Sequence, residues 1–332
     1  MAATSVLNEP AYAHVFDQKE DVISAAKNGL SWTYHADKDA QYVLPNNSPE
    51  HIRLEQQAVL LSGLMNHRIF HAPVKDGPHL QCLDIGCGTG IVTDTMATTL
   101  PQAQCFGVDL SPVPNMRAPK PNVRFFQGNV GTQPPSQWIP NDRESGFERD
   151  HEVFDYVFSR LLIFGVTDWP AYIRTQFDLL KPGGWAEVHD CDWTYFNEAE
   201  EVISDEWSWL QTLHSICEGE KGMDFQCGRK VAQWMEQAGF RDIQVFKYKW
   251  SYDPLSTQEP GVREFGEWQV RWQPEMINTM IERSVTSGHG AGMVEHNAIV
   301  RMQDEMRKCL APEKGKHIWF YVTIGQKPPG VA

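Results

Sequence analysis

Short apolar runs alternate with amphipathic stretches along most of the chain. Five of the runs have the length of strands and end in glycine, acidic or polar turns, a pattern that predicts strands. They lie at 83–85, 104–108, 122–127, 153–159 and 185–190. Two later runs, at 242–252 and 317–325, predict strands that can pair antiparallel at the sheet edge. Strands alternating with helices are typical of an α/β fold, here with a mostly parallel, seven-stranded sheet.

The helical patterns divide the chain into three parts. Helices are predicted at 49–65, 91–100, 169–180, 205–217 and 228–238. The strand-rich part, 76–252 together with 316–332, is expected to form the core domain. Residues 1–75 are expected to form a helical N-terminal cap. Residues 253–315 are too many for an ordinary connection, so they predict a helical insertion that forms part of a lid.

A glycine-rich turn follows the first predicted strand. Residues 83–90 read L-D-I-G-C-G-T-G, and the helix predicted to begin at Ile91 presents free N–H groups to a ligand. Glycines allow the sharp turn and let a ligand approach the backbone. A dinucleotide site would need a third glycine where Ile91 stands, so the G-x-G-x-G spacing favours S-adenosylmethionine. Asp109, which ends the second predicted strand, is placed to accept hydrogen bonds from a ribose.

The composition narrows the possible partners. The chain has 332 residues and a formal net charge of −14, which argues against a nucleic-acid partner. No stretch has the length of a membrane span or a signal peptide, so a cytoplasmic protein without membrane contact is expected. The seven cysteines form no C-x-x-C pair, and no histidine–carboxylate cluster has metal-ligand spacing, so no metal is expected. The sequence leaves the oligomeric state open.

An ordered set of segments resembles the class I S-adenosylmethionine-dependent methyltransferases. After the glycine turn come Asp109, the turn Q-G-N-V at 127–130, the strand F-D-Y-V-F at 154–158, and L-K-P-G-G at 180–184. The resemblance covers about residues 80–250 and the final strand. It implies a Rossmann-like fold with S-adenosylmethionine as the cofactor.

A narrower likeness lies in the N-terminal part. The segment Y-V-L-P-N-N at 42–47, with Glu50, Arg53 and Leu54, looks like the Y-x-L-P-N-D-x-x-E-x-x-R-L signature of the fungal LaeA-like methyltransferases. The run G-V-D-L-S-P at 107–112 is similar to another element of that family. The final N of 42–47 departs from the aspartate that the family commonly has. In that family this segment closes over the cofactor, and members act in fungal secondary metabolism as small-molecule methyltransferases or as regulators.

The resemblance implies roles for individual residues of the cofactor site. The glycines of the turn would approach the methionine part, and Asp109 would hold the ribose hydroxyls. Asn129 and Val130 would lie beside the adenine. Ser159 and Arg160 would border the sulfonium, although an ion-pairing role for Arg160 fits the sequence equally well. The complete expected set is Tyr42, Arg53, Asp84, Gly86, Cys87, Gly88, Gly90, Asp109, Leu110, Gly128, Asn129, Val130, Ser159 and Arg160.

The acceptor site is expected beyond the fifth predicted strand, because ligands of open parallel sheets lie at the carboxyl ends of strands. A hydroxyl acceptor benefits from a general base, and the catalytic candidates there are His189 and Asp190. A hydrogen-bonded structural role fits His189 equally well, and Asp190 is alternatively a helix cap. Trp193, Trp268 and Trp272 are expected to line an apolar acceptor pocket.

Four functional hypotheses follow. The first is a methyltransferase acting on a hydrophobic small molecule of secondary metabolism, with O-methylation favoured over N- or S-methylation. The second is a LaeA-like regulator that acts through protein partners. The third is a methyltransferase fold recruited to chemistry other than methylation. A dehydrogenase is the fourth, and the glycine spacing argues against it.

Overall fold

The computed structural model describes residues 33–37, 40, 42, 44–141, 147–255, 259–286 and 296–330. Its centre is an eight-stranded mixed sheet with the strand order β4-β3-β2-β1-β5-β6-β8-β7. The strands are β1 (Gln81–Ile85), β2 (Gln104–Asp109), β3 (Val123–Gln127), β4 (Ile139–Pro140), β5 (Phe154–Arg160), β6 (Leu180–Phe196), β7 (Arg241–Ser251) and β8 (His317–Gln326). The α-helices are α1 (Ser48–Leu64), α2 (Ile91–Thr99), α3 (Trp169–Leu179), α4 (Ser208–Lys221), α5 (Cys227–Ala238), α6 (Pro260–Thr286) and α7 (His296–Cys309).

The parallel strands bring the predicted site residues to one edge of the sheet. Strand β1 pairs in parallel with β2 on one side and with β5 on the other. Helices cover both faces of a parallel sheet, which is why such strands consist mostly of apolar residues. Leu83 and Val157 are accordingly fully buried. Since parallel strands end at a common edge, the glycine turn after β1, Asp109 at the end of β2 and Arg160 at the end of β5 lie together.

The predicted Rossmann-like sheet is confirmed, with differences at the strand ends. The seven long strands lie where the apolar runs predict them, and β8 is antiparallel to both β6 and β7. The eighth strand, β4, is a two-residue edge strand paired antiparallel with β3. Strand β6 extends to Phe196, past the predicted end at residue 190, because β8 supplies backbone partners as far as His317.

The fourth predicted helix begins later than its pattern suggests. The prediction placed its start at residue 205, whereas α4 begins at Ser208. The backbone N–H of Trp207 instead donates to the Ser204 carbonyl in a turn. Residues 205–207 therefore belong to the turn before α4 and not to its first helical turn.

Helices α1 and α6 pack against each other beside the sheet. Their backbones approach so closely that a Cβ atom on Gly261 would collide with the Gly63 carbonyl. Helix α1 lies within the predicted N-terminal cap, and α6 and α7 lie within 253–315, but the three-part division itself stays a prediction. No helix in the described part of the chain has both the length and the apolar character needed to span a membrane.

Candidate functional site

A cavity of about 330 Å³ lies at the carboxyl ends of β1, β2, β5 and β6. This is where open α/β sheets bind their ligands. The glycine turn and Asp109 line one part of it, and Trp193 lines another. Strands β2 and β6 are three strand positions apart, which separates their ends by about 14 Å. The cavity therefore extends along the sheet edge from the glycine turn to Trp193.

The glycine turn is held open toward the cavity by its backbone conformation. Gly86 and Gly88 both adopt positive φ angles, +68° and +56°, which favour glycine. The Gly88 N–H donates to Oδ2 of Asp109 at 2.9 Å, and the Ser111 N–H donates to Oδ1 at 3.1 Å. Burial raises the pKa of Asp109, and these backbone hydrogen bonds partly offset the rise. Asp109 is thus fixed beside the turn, and its role in binding a ribose stays a prediction.

Arg160 brings a guanidinium group with an unused donor to the cavity. It lines the cavity, and its Nη1 is buried and has no hydrogen-bond partner among the described residues. Burial lowers the pKa of Arg160 to about 10, although the nearby carboxylates of Asp84 and Glu55 act to raise it. An unpaired buried donor of this charge fits a ligand carboxylate, such as that of the methionine part of S-adenosylmethionine.

Described residues of the N-terminal segment form the wall over the end of the cavity that holds the glycine turn. Tyr42 and Arg53 line it, and Arg53 makes a two-pronged ion pair with Glu50, at 2.8 and 2.6 Å. The Asn46 side chain donates to the Ser111 hydroxyl at 3.0 Å. Asn46, the last residue of the Y-x-L-P-N motif, thereby connects the N-terminal segment to the loop after β2.

Most of the expected cofactor residues line the cavity, and two do not. Lining residues are Tyr42, Arg53, Asp84, Gly86, Cys87, Gly88, Asp109, Leu110, Gly128, Asn129, Val130 and Arg160. Gly90 instead caps α2 at φ +76° and packs against Phe125, whose Cζ would lie 2.5 Å from an added Cβ. Ser159 is fully buried, and its hydroxyl accepts a hydrogen bond from Gln176 at 3.1 Å. Both residues therefore support the site from behind.

The two catalytic candidates, His189 and Asp190, are both buried and do not line the cavity. The ring of His189 lies against Glu187, with Nε2 to Oε1 at 2.6 Å. Burial lowers the pKa of His189 to about 4 despite the neighbouring carboxylate. This placement does not support proton transfer from an acceptor in the cavity to His189.

Glu187 is the centre of a buried polar cluster beneath the cavity. Its carboxylate accepts hydrogen bonds from the backbone N–H groups of His71 and Ala72 and from the hydroxyl of Tyr156. Burial alone would raise its pKa, but hydrogen bonds from His189 and His71 outweigh burial and hold the pKa well below its usual range. Ligand atoms of His71, Glu187 and His189 lie within 4.8 Å of one another, a geometry that the sequence spacing did not indicate. These hydrogen bonds satisfy the Glu187 carboxylate, whereas Nδ1 of His189 is buried without a partner among the described residues.

Asp190 positions a loop of the cavity wall and does not cap a helix. Its Oδ2 accepts a hydrogen bond from the Leu162 N–H at 2.8 Å, and its Oδ1 accepts one from Cys191. Leu162 lines the cavity beside Gly86. The hydrogen bond from Leu162 to Asp190 thus connects β6 to the glycine turn. The neighbouring Asp192 also lies in β6, where it forms an ion pair with Arg229 of α5 at 2.5 Å.

An aromatic surface closes the cavity on the side of β6, β7 and α6. We call Trp193, Trp250, Trp268 and Trp272 the indole wall, and all four line the cavity. The prediction from the sequence included three of these and omitted Trp250. Helix α6 also contributes Gln269, Gln273 and Met276. Their spacing with Trp268 and Trp272 places all five on one helix face, a signal present in the sequence.

Asp84 makes the stability of the cofactor-free protein depend on pH. Burial raises the pKa of Asp84 to about 7, and hydrogen bonding to Thr93 and the charge of Arg160 only partly offset the rise. An unfolded aspartate titrates near pH 3.9, so between about pH 4 and 7 the folded state holds a proton that the unfolded state lacks. Asp84 therefore contributes stability that decreases as the pH rises through this window.

Replacing Asp84 by asparagine is expected to remove this contribution. The free energy of unfolding of the variant minus that of the wild type should rise by up to about 1.4 kcal/mol per pH unit between about pH 4 and 7. Urea denaturation of both proteins across this range measures the difference, and the subtraction cancels other titrating groups such as His189. Parallel pH profiles for the two proteins would contradict the assignment.

Comparisons with known proteins identify the family. A family model described as a methyltransferase domain matches residues 53–245, more than half of the chain. The chain is 30% identical over 230 residues to the methyltransferase pytC of Aspergillus terreus, an alignment that covers 67% of this chain and 65% of pytC. It thus spans less than two thirds of the length of pytC. It is 26% identical to the secondary metabolism regulator LAE1 of Cochliobolus heterostrophus, with coverage of 71% of this chain and 73% of that protein.

Solved structures give a more distant likeness. Phosphoethanolamine N-methyltransferase 2 of Haemonchus contortus, solved with S-adenosyl-L-methionine, is 19% identical, with a TM-score of 0.43 and coverage of 82% of this chain and 52% of that chain. A likeness this distant adds nothing to the assignment. The family match and the LAE1 and pytC relatives confirm the resemblance seen in the sequence. The chain belongs to the methyltransferase domain family, and the predicted cofactor, S-adenosylmethionine, is confirmed at the level of that family.

Proposed function

We propose that the protein transfers a methyl group from S-adenosylmethionine to an oxygen of a hydrophobic, aromatic small molecule. The observation that carries this proposal is the continuity of one cavity from the glycine turn and Asp109 to the indole wall. Such a cavity places a cofactor and an apolar acceptor next to each other. That the protein acts in the cytoplasm stays a prediction from the sequence.

The cofactor end of the cavity would hold S-adenosylmethionine through three groups. Asp109 would accept hydrogen bonds from the ribose hydroxyls, and Arg160 would bind the methionine carboxylate with its unpaired Nη1. The backbone at Gly86 would lie against the methionine chain, where no Cβ obstructs it. When bound, the cofactor supplies a methyl group on a sulfonium, and these residues fix its orientation toward the acceptor.

The acceptor end would act mainly by orientation and by excluding water. None of the described cavity residues from β6, β7 and α6 carries a charge; they are Cys191, Trp193, Trp250, Trp268, Gln269, Trp272, Gln273 and Met276. Burial raises the pKa of the Cys191 thiol well above its usual range, so it stays protonated. Alignment of reactants in well-oriented cases lowers a barrier by about 7–11 kcal/mol. Methyl transfer to a hydroxyl also releases its proton, which would pass to water because none of these wall residues is a base; this favours an acidic hydroxyl, such as that of a phenol or enol.

A second candidate function is regulation of secondary metabolism through protein partners. Several relatives bear that description, among them LAE1 and the laeA protein of Aspergillus flavus, which is 32% identical over 220 residues. In this function the same cavity would bind the cofactor, and the methyl acceptor, where there is one, would be a protein.

Transfer of labelled methyl groups separates the two functions. The purified full chain is incubated with methyl-labelled S-adenosylmethionine and an extract of the producing organism, and label is followed into small-molecule and protein fractions. The expected result is label in a small molecule that is lost with Asp109→Ala and retained with Asp155→Ala. Asp155 is a suitable control because it binds Lys181 and the Gln81 N–H at the opposite sheet edge. Label only in protein, or none despite cofactor binding, would contradict the small-molecule proposal.

A further inference from the structure

Helix α6 presents two buried amide side chains to the cavity between the tryptophans of the indole wall. Gln269 and Gln273 are 2% and 3% exposed, and both line the cavity. They are one helical turn apart, so their side chains lie on the same face. Buried amides in an apolar wall are costly unless they are hydrogen-bonded, so their partners show what the wall can bind.

Two buried tyrosines behind the wall fix the orientation of these amides. The Nε2 group of Gln269 donates to the Tyr252 hydroxyl at 3.2 Å and to Oε1 of Gln273. The Nε2 group of Gln273 donates to the Tyr195 hydroxyl at 3.4 Å. The two tyrosine hydroxyls are themselves 3.4 Å apart. Burial raises the pKa of both tyrosines above the usual value, so the whole cluster is uncharged at neutral pH.

The cluster leaves both a donor and an acceptor for a ligand. An amide NH₂ has two protons and its carbonyl has two acceptor positions. Both amide protons of Gln269 are donated in hydrogen bonds, and its Oε1 is an acceptor without a described partner. Gln273 donates one of its amide protons to Tyr195, and its second N–H remains available as a donor. Nε1 of Trp250, a neighbouring member of the indole wall, is also a buried donor with no partner among the described residues.

We propose that Gln269, Gln273 and Trp250 form a polar subsite that binds a hydroxyl group on a neutral aromatic acceptor. A hydroxyl donates one hydrogen bond and accepts others, which matches the acceptor of Gln269 and the donors of Gln273 and Trp250. The surrounding indole rings suit a flat aromatic body. A carboxylate is excluded, because no cation stands in this part of the described cavity wall. The inference rests on the proposed function, since it identifies the acceptor class at that same site.

Binding of small aromatic probes tests the subsite without requiring methyl transfer. The full chain is saturated with S-adenosylhomocysteine and titrated calorimetrically with 2-naphthol, naphthalene and 2-naphthoate. We expect 2-naphthol to bind about three- to tenfold more tightly than naphthalene, as one neutral hydrogen bond allows, and 2-naphthoate to bind more weakly than both. A wild-type protein that does not prefer 2-naphthol over naphthalene would overturn the proposal.

One variant and a control connect the preference to the Gln273 amide. Gln273→Met keeps the side-chain length and removes one of the proposed donors, so it should reduce the preference for 2-naphthol while leaving naphthalene binding close to the wild-type value. Equal weakening of both probes would mean that Gln273 only supports the fold and would overturn its role. Asn278→Leu removes another buried amide of α6 that does not line the cavity, and it should keep the wild-type preference.

A positioning variant keeps the test decisive if Gln273→Met is unstable. Tyr195→Phe removes only the hydroxyl that holds the Gln273 amide, so it should reduce the preference for 2-naphthol by a smaller factor. An unchanged preference in a folded Tyr195→Phe protein would contradict the arrangement. The proposed function fails separately: a protein that selects 2-naphthol but transfers no methyl group keeps the subsite and loses the enzymatic assignment.

Discussion

Replacing Asp109 by alanine is expected to weaken the binding of S-adenosylmethionine by about 100-fold or more. In the proposed complex the carboxylate accepts hydrogen bonds from the ribose, and hydrogen bonds to a charged group contribute about 1.5–3 kcal/mol each. Two such bonds correspond to about 3–6 kcal/mol, and each 1.4 kcal/mol is a factor of ten. The substitution also leaves the N–H groups of Gly88 and Ser111 without their partner. Calorimetric titration with S-adenosylmethionine or S-adenosylhomocysteine measures the loss.

Two further proteins show whether the loss is local. Asp109→Asn keeps an acceptor oxygen and should retain part of the affinity. Asp155→Ala removes a carboxylate that also accepts a backbone hydrogen bond, but it lies at the amino end of β5, away from the cavity. It should lower stability without changing cofactor affinity. A loss of affinity of similar size in Asp155→Ala would show that Asp109 acts through general destabilisation.

The position of the proposed cofactor residues along the cavity was predictable because its signals are local in the sequence. The glycine turn, Asp109 and the apolar runs that precede them lie within single strand–turn units, so residue spacing fixes their positions. Arg160 follows the end of β5 in the same way. Its unpaired Nη1 was not predictable, because that depends on the distances to Asp84 and Glu55, which are far apart in the sequence.

The proposed acceptor side of the cavity depends on contacts between distant segments, so less of it could be predicted from the sequence. Alternation along β6 correctly places Glu187 and His189 on one face. It does not show that residues 69–72 cover that face, where His71 donates to Glu187 across 116 positions of sequence. The orientation of the Gln273 amide likewise depends on Tyr195 of β6, 78 positions away in the sequence.

Gly86→Ala is expected to weaken cofactor binding by about 10- to 100-fold, and Gly183→Ala is its matched control. Both glycines adopt left-handed backbone conformations, at φ +68° and +84°, so alanine at either position costs about 1–2 kcal/mol of stability. An added Cβ at Gly183 meets nothing within 4 Å, whereas one at Gly86 collides with the Leu162 side chain inside the cavity. Overpacking of this kind costs about 1–3 kcal/mol, and here it falls where the cofactor is proposed to meet the backbone. Urea denaturation should show losses of stability in both variants, and calorimetry should show a loss of affinity only in Gly86→Ala. Equal affinities in the two variants would mean that the turn does not contact the cofactor.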